Sequence, residues 1–208
     1  MSERKIKAVN NKKDKQYTYQ QMMERYKKAI NEEFYFEAIL ISYATIEDRL
    51  RSFLYYIGAI RNRDINKLNV SKTKKQLRNI YSDFDDSAAN VRIDFKYITV
   101  KINLIKKTLL WSQECIGKPE DSYLQVLKDA YEGCLDIGFM LDTLEAIEEW
   151  NEYRNEIIHG LLNKNVADLN NQIKECAING MQYARDIDSQ VKCLKKKNGI
   201  RKTCKIVD

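Results

Sequence analysis

The sequence predicts an all-α fold, a single-domain helical bundle of about five to six helices. Three observations predict it. The 208 residues hold one proline and seven glycines, too few for a chain that turns at the end of every strand. Hydrophobic residues make up 44 % and charged residues 32 %, so a buried core can sit beneath a charged helical surface. Apolar residues also recur at helical spacing over long stretches.

The elements follow in order. Residues 1–14 are polar and basic and read as a loose tail. The pattern from Tyr17 to Ile30 suits a helix. In "EEFYFEAILISYATIEDRLRSFLYYIGAI", Phe36, Ile39, Tyr43, Ile46, Leu50, Phe53 and Ile57 fall on one helical face. Aromatic and β-branched residues there favour a strand locally, and the length of the periodic run decides for helix. Gly58 closes it. Arg61 to Arg78 reads as a basic connector, with Arg61, Arg63, Lys67, Lys72, Lys74, Lys75 and Arg78 against Asp64. A further helix is expected from Val91 to Cys115. "GKPED" breaks it, with Pro119 suited to the start of the next helix and two acids to its first turn. Helical pattern resumes through Tyr131 and again from Asp136 to His159. The last helix runs from Val166 to Leu194, with Ile173, Ala177, Met181, Ala184, Ile187, Val191 and Leu194 on one side. Residues 15–195 therefore form one domain, and residues 196–208 a basic, frayed tail.

Composition narrows the function. The five cysteines are scattered and only one histidine could join them, which disfavours a structural zinc site and a disulfide framework. They read as reduced thiols of a cytosolic protein, with no metal and no cofactor. No signal-peptide core and no membrane-length apolar run is found. The net charge of +6 permits a polyanionic partner without demanding one.

The informative stretch is "EWNEYRNEIIHGLL", Glu149–Leu162, which carries that histidine, His159. On a helix, Asp142, Glu145, Glu149, Glu152 and Glu156 form one acidic stripe. Leu144, Ile147, Trp150, Tyr153, Ile157 and Ile158 form the opposite, core-facing side. Arg154 falls near the middle of that apolar side, with Asn151 and Asn155 beside it. A guanidinium there is costly unless something pairs with it. Asn155 and His159 are neighbours at i,i+4. The bland explanation is a histidine that complements the helix C-terminus before Gly160, and an arginine paired with Glu47 or another acid.

The spacing Arg154-Asn155-x-x-x-His159 resembles the R-x(4–6)-H motif of the HEPN superfamily, in which a polar residue, often asparagine, follows the arginine. "YATIEDRLR", Tyr43–Arg51, is similar to the N-terminal helix of several HEPN groups. The resemblance implies a compact HEPN-like helical bundle. It implies a metal-independent ribonuclease of the kind found in toxin–antitoxin and antiviral defence systems, with a composite site formed where two copies meet. The specific part of the likeness is a handful of residues. HEPN toxins paired with a nucleotidyltransferase often carry tyrosine two residues after the histidine. Here that residue is Leu161, which weakens the link to that subgroup alone.

Metal-free RNA cleavage turns the 2′-hydroxyl on the adjacent phosphorus and leaves a 2′,3′-cyclic phosphate and a 5′-hydroxyl. It needs a base, an acid and a cation for the phosphorane oxygens. An imidazole can carry the proton in either direction. Arginine grips phosphate oxygens in pairs. Asn155 would orient the ring or the phosphate. One imidazole cannot be base and acid at once, so a homodimer sharing the site is expected. Arg61, Arg63, Lys72, Lys74, Lys75 and Arg78 would hold the RNA strand; a solvated surface is the alternative for them and the favoured reading of the Lys195–Lys197 run. Glu47 and Asn151 are candidates for support, and an antitoxin or regulatory partner protein is compatible with this reading. The thirteen tyrosines sit mostly at core spacing, and none is assigned to RNA. Two other readings compete: a non-catalytic helical module that binds RNA, nucleotide or a partner protein, and a plain helical scaffold.

Overall fold

The computed structural model describes residues 12–60, 80, 97–160, 166–197 and 199–206, and every regular element among them is a helix. In chain order they are α1 (Lys12–Asn31), α2 (Tyr35–Tyr56), α3 (Ile98–Glu114), α4 (Ser122–Cys134), α5 (Ile137–Gly160), α6 (Val166–Lys197) and the four-residue α7 (Ile200–Thr203). Six long helices and one short one realise the all-α bundle that the periodicity predicts. The connector Arg61–Arg78 and the first residues of the helix expected from Val91 lie outside the described residues.

Helix α2 is central because it is buried on more than one face. Ile46, Leu50 and Phe53 line one side, and Ile41 and Ser52, roughly 120–140° around the helix, are buried as well. Helix α1 packs antiparallel to it, joined by a short turn in which Phe34 N–H bonds Ala29 O and Glu33 N–H bonds Ile30 O. This double closure puts Glu33 in the left-handed region, at φ 61°, where glycine is usual. Helix α2 ends in the same way at Gly58, φ 80°, as the sequence predicts. A side chain at Gly58 would also strike Ile206. Helix α4 starts at a cap. Asp121 accepts bonds from Tyr123 and Leu124 N–H, so Pro119 lies before the cap, outside the first turn expected for it.

Helix α6 runs parallel to α2 and antiparallel to α5. All seven positions expected to face the core, from Ile173 to Leu194, are buried. The three helices meet at Gly180. Trp150 Nε1 donates to Cys176 O at 2.8 Å, and the Ser42 hydroxyl donates to Ala177 O at 3.1 Å. A Cβ at Gly180 would lie 2.5 Å from Trp150 Cζ2 and 3.0 Å from Ser42 Cβ. Alanine in place of a mid-helix glycine ordinarily stabilises by about 0.8–1 kcal/mol. Forcing an extra carbon into a packed contact costs roughly 1–3 kcal/mol, and here that term wins. Gly180→Ala is therefore expected to lower the urea midpoint, and a raised midpoint would contradict this packing.

An ionic cluster ties α1, α2 and α6 together. Lys15 Nζ lies 2.8 Å from Asp48 Oδ1, the Tyr19 hydroxyl donates to Asp48, and Arg49 pairs with Asp188 at 2.5 Å. The Arg49 guanidinium also stacks on the Tyr19 ring, 4.2 Å from its centroid. Burial by itself would raise the Asp48 pKa, but Lys15, the Tyr19 hydroxyl and Arg49 outweigh it and hold the carboxyl below its ordinary value of 3.8. A depressed carboxylate adds stability above its unfolded pKa and loses it as pH falls through the folded one. The thermal midpoint difference between wild type and Asp48→Asn is therefore expected to be largest at neutral pH and to shrink below about pH 4. A difference of constant size from pH 7 to pH 3 would overturn this account.

The C-terminal segment corrects an expectation. Residues 199–206 are not a frayed tail. Ile200 is buried, Arg201 Nη1 donates to Tyr55 O at 3.2 Å and Ile60 O at 3.0 Å, and its guanidinium lies over the Tyr55 ring. This arginine thus adds a side-chain donor to the carbonyls of the segment that closes α2.

Candidate functional site

Helix α5 carries the site. Leu144, Ile147, Trp150 and Ile157 are buried, and Asp142, Glu145, Glu149, Glu152 and Glu156 are all exposed, so the acidic stripe points to solvent as expected. Tyr153 departs from the expectation. It is 37 % exposed and lies beside Glu175 and Glu156, because α6 covers the face around Trp150 and leaves this flank open.

Arg154 is half-buried among the buried residues of that face. Its Nη2 donates to Asn151 Oδ1 at 2.9 Å, and Asn151 is itself buried. Its guanidinium carbon lies 4.1 Å from the centroid of the Tyr43 ring on α2. Nε is shut off from water without a bonding partner. Arg154 makes no ion pair among the described residues. The bridge to Glu47 of the bland explanation is absent, and the Glu47 carboxylate is held by Lys101 at 2.6 Å. Lys101 is wholly buried, so the Glu47 carboxylate offsets part of the cost of burying its charge.

The other predicted residues fall around this centre. Asn155 is half-buried and His159 exposed in the last turn of α5, where the helix dipole favours a cation. Neither bonds to Arg154 among the described residues. Five residues separate Arg154 from His159, about 140° around the helix and about 7.5 Å along it. Within one copy, then, Arg154 and Asn151 are brought together and His159 is not. Cys176 lies near Arg154. Burial pushes its thiol up to about 11 despite the arginine's charge, so it stays protonated and is no nucleophile at neutral pH. Among the described residues no three His, Cys, Asp or Glu side chains are grouped to hold a metal ion.

The proposed RNA contacts Arg61, Arg63, Lys72, Lys74, Lys75 and Arg78 lie outside the described residues. Lys195 reaches over the Tyr56 ring at the far end of α2, about 20 Å of helix axis from Tyr43. No described helix is long and apolar enough to cross a membrane. Tyr43 is the residue that the sequence reading missed. It occupies a core-spaced position on α2, and its contact with Arg154 spans 111 residues of sequence, which no periodicity reports. Comparison with protein-family models, curated proteins and solved structures yields no match.

Proposed function

We propose that this chain is a metal-independent endoribonuclease of HEPN type, working in the cytoplasm as a homodimer in prokaryotic defence or a toxin–antitoxin system. The observation that carries the reading is the Arg154 guanidinium. It is held on the apolar side of α5, has no acidic partner among the described residues, and commits only Nη2 to a hydrogen bond there. A cation fixed in this way, with donors to spare, suits a phosphate. In the proposed mechanism Arg154 stabilises the phosphorane oxygens, Asn155 orients the phosphate or the ring, and His159 moves the proton. The second copy brings a second His159, so one imidazole acts as base and the other as acid. The outward acidic stripe leaves the Arg154 flank free for an anionic strand. The Arg61–Arg78 connector would grip that strand.

A second reading keeps the anion site without the chemistry. No described group orients the exposed His159 ring, as expected of a module that only binds RNA, nucleotide or a partner protein. One experiment separates the two. Wild-type protein is incubated with mixed RNA in EDTA, and the product ends are mapped. Cyclic phosphate ends, together with a dimer in solution, support the nuclease. Intact RNA at every protein concentration, with RNA retained by the protein, leaves the binding module.

A further inference from the structure

We propose that Tyr43 is the positioning residue for Arg154: its ring is the platform that sets the guanidinium with Nη2 on Asn151 and Nη1 uncommitted among the described residues. This rests on the reading of Arg154 as a phosphate-gripping residue. Three observations place the platform. The guanidinium carbon sits 4.1 Å from the ring centroid, which is stacking distance. Asn151, the one hydrogen-bond partner of Arg154 among the described residues, fixes Nη2, so ring and amide together determine the plane and rotation of the fork. Nε is buried and unbonded, a cost that the side chain bears only in this orientation.

The charge next to Tyr43 explains why the arginine stays on the ring. Glu47 lies one turn further along α2, and both Glu47 and Arg154 act on the Tyr43 hydroxyl. A free carboxylate there would compete for the guanidinium and form a forked ion pair. Lys101 occupies it instead, at 2.6 Å. The pair Lys101–Glu47 thus leaves Arg154 to an uncharged platform, which directs the fork without neutralising it. A neutral platform preserves the full cationic charge for a phosphate, whereas a carboxylate would cancel it.

The test compares Tyr43→Phe, which keeps the ring, with Tyr43→Leu, which removes it. The first readout is the Arg154 Nε–H signal in proton–nitrogen NMR, assigned by its loss in Arg154→Lys. Wild type and Tyr43→Phe are expected to show a ring-shifted, slowly exchanging signal, and Tyr43→Leu a fast-exchanging one. The second readout is RNA cleavage. Tyr43→Phe should match wild type, while Tyr43→Leu should lose about 10- to 30-fold in kcat with KM little changed. Should leucine unfold the chain, Tyr43→Met takes its place, with circular dichroism as the check on folding. An Nε signal in folded Tyr43→Leu identical to wild type would overturn the proposal, as would equal loss of kcat in the phenylalanine and leucine variants. Fast exchange of Nε in the wild type would overturn it without any variant. A ring-dependent Nε signal in a protein that leaves RNA intact would uphold the platform and remove the nuclease reading.

Discussion

Arg154→Ala is expected to abolish RNA cleavage, with a loss of at least about 10²–10³ in kcat. The residue is the one cation described on the core-facing flank of α5, and no acid neutralises it there. Arg154→Lys should fail nearly as badly, because an ammonium can neither stack on Tyr43 nor present two donors to phosphate oxygens. His159→Ala should match the alanine loss for a different reason, the missing proton carrier. Stability should move little in either case, since Arg154 is half-buried and His159 exposed. The shared site makes a further prediction. Arg154→Ala chain mixed in excess with wild type should depress activity below simple dilution, because mixed dimers carry an incomplete cleft. Activity that follows dilution alone would sink the shared cleft, and full activity of Arg154→Ala would sink the assignment of the site.

Lys101→Ala carries the largest expected effect on stability. The Lys101 side chain is 0 % exposed and that of its partner Glu47 is 20 % exposed. Two charges withdrawn from water in this way hold each other in place. Removing the lysine strips the part-buried Glu47 of this partner and empties a fully buried site, at a cost of about 3–5 kcal/mol. Total stability of such a domain is about 5–15 kcal/mol, so a large share would be lost. For a chain of this length the thermal midpoint should fall by roughly 6–20 °C. The double variant Lys101→Met with Glu47→Leu should recover most of that loss, since apolar groups of similar volume replace the pair without stranding a charge. Melting followed by circular dichroism measures both. A Lys101→Ala midpoint within about 2 °C of wild type would show that the pair is solvated and contributes little.

The residues show where sequence reasoning reaches. Along α6, seven apolar positions from Ile173 to Leu194 are buried as the period predicts, because a helix that packs on one side must repeat its apolar residues every turn. The same reasoning sent the acids of α5 outward and ended α2 at Gly58. It placed Tyr153 on the buried side, yet that position flanks the contact with α6 and is open. It treated the C-terminal residues as a tail, because a basic stretch gives no sign that Arg201 will donate to the carbonyls of Tyr55 and Ile60. Within the candidate site, Arg154, Asn155, His159 and the supporting Asn151 could be named from one helix. The Tyr43 ring under Arg154 could not.

The sequence by itself determined the helices, their apolar faces and the placement of a lone arginine on the side of α5 meant for burial. These follow from local geometry, since each depends on residues within a turn or two of one another. The tertiary structure decided what meets that arginine. Trp150 settles against Gly180, Glu47 goes to Lys101, and Tyr43 receives the guanidinium. Each of these pairs joins residues on different helices, and which acid a buried charge finds depends on how close the packed helices bring them, a distance that no spacing along the chain encodes.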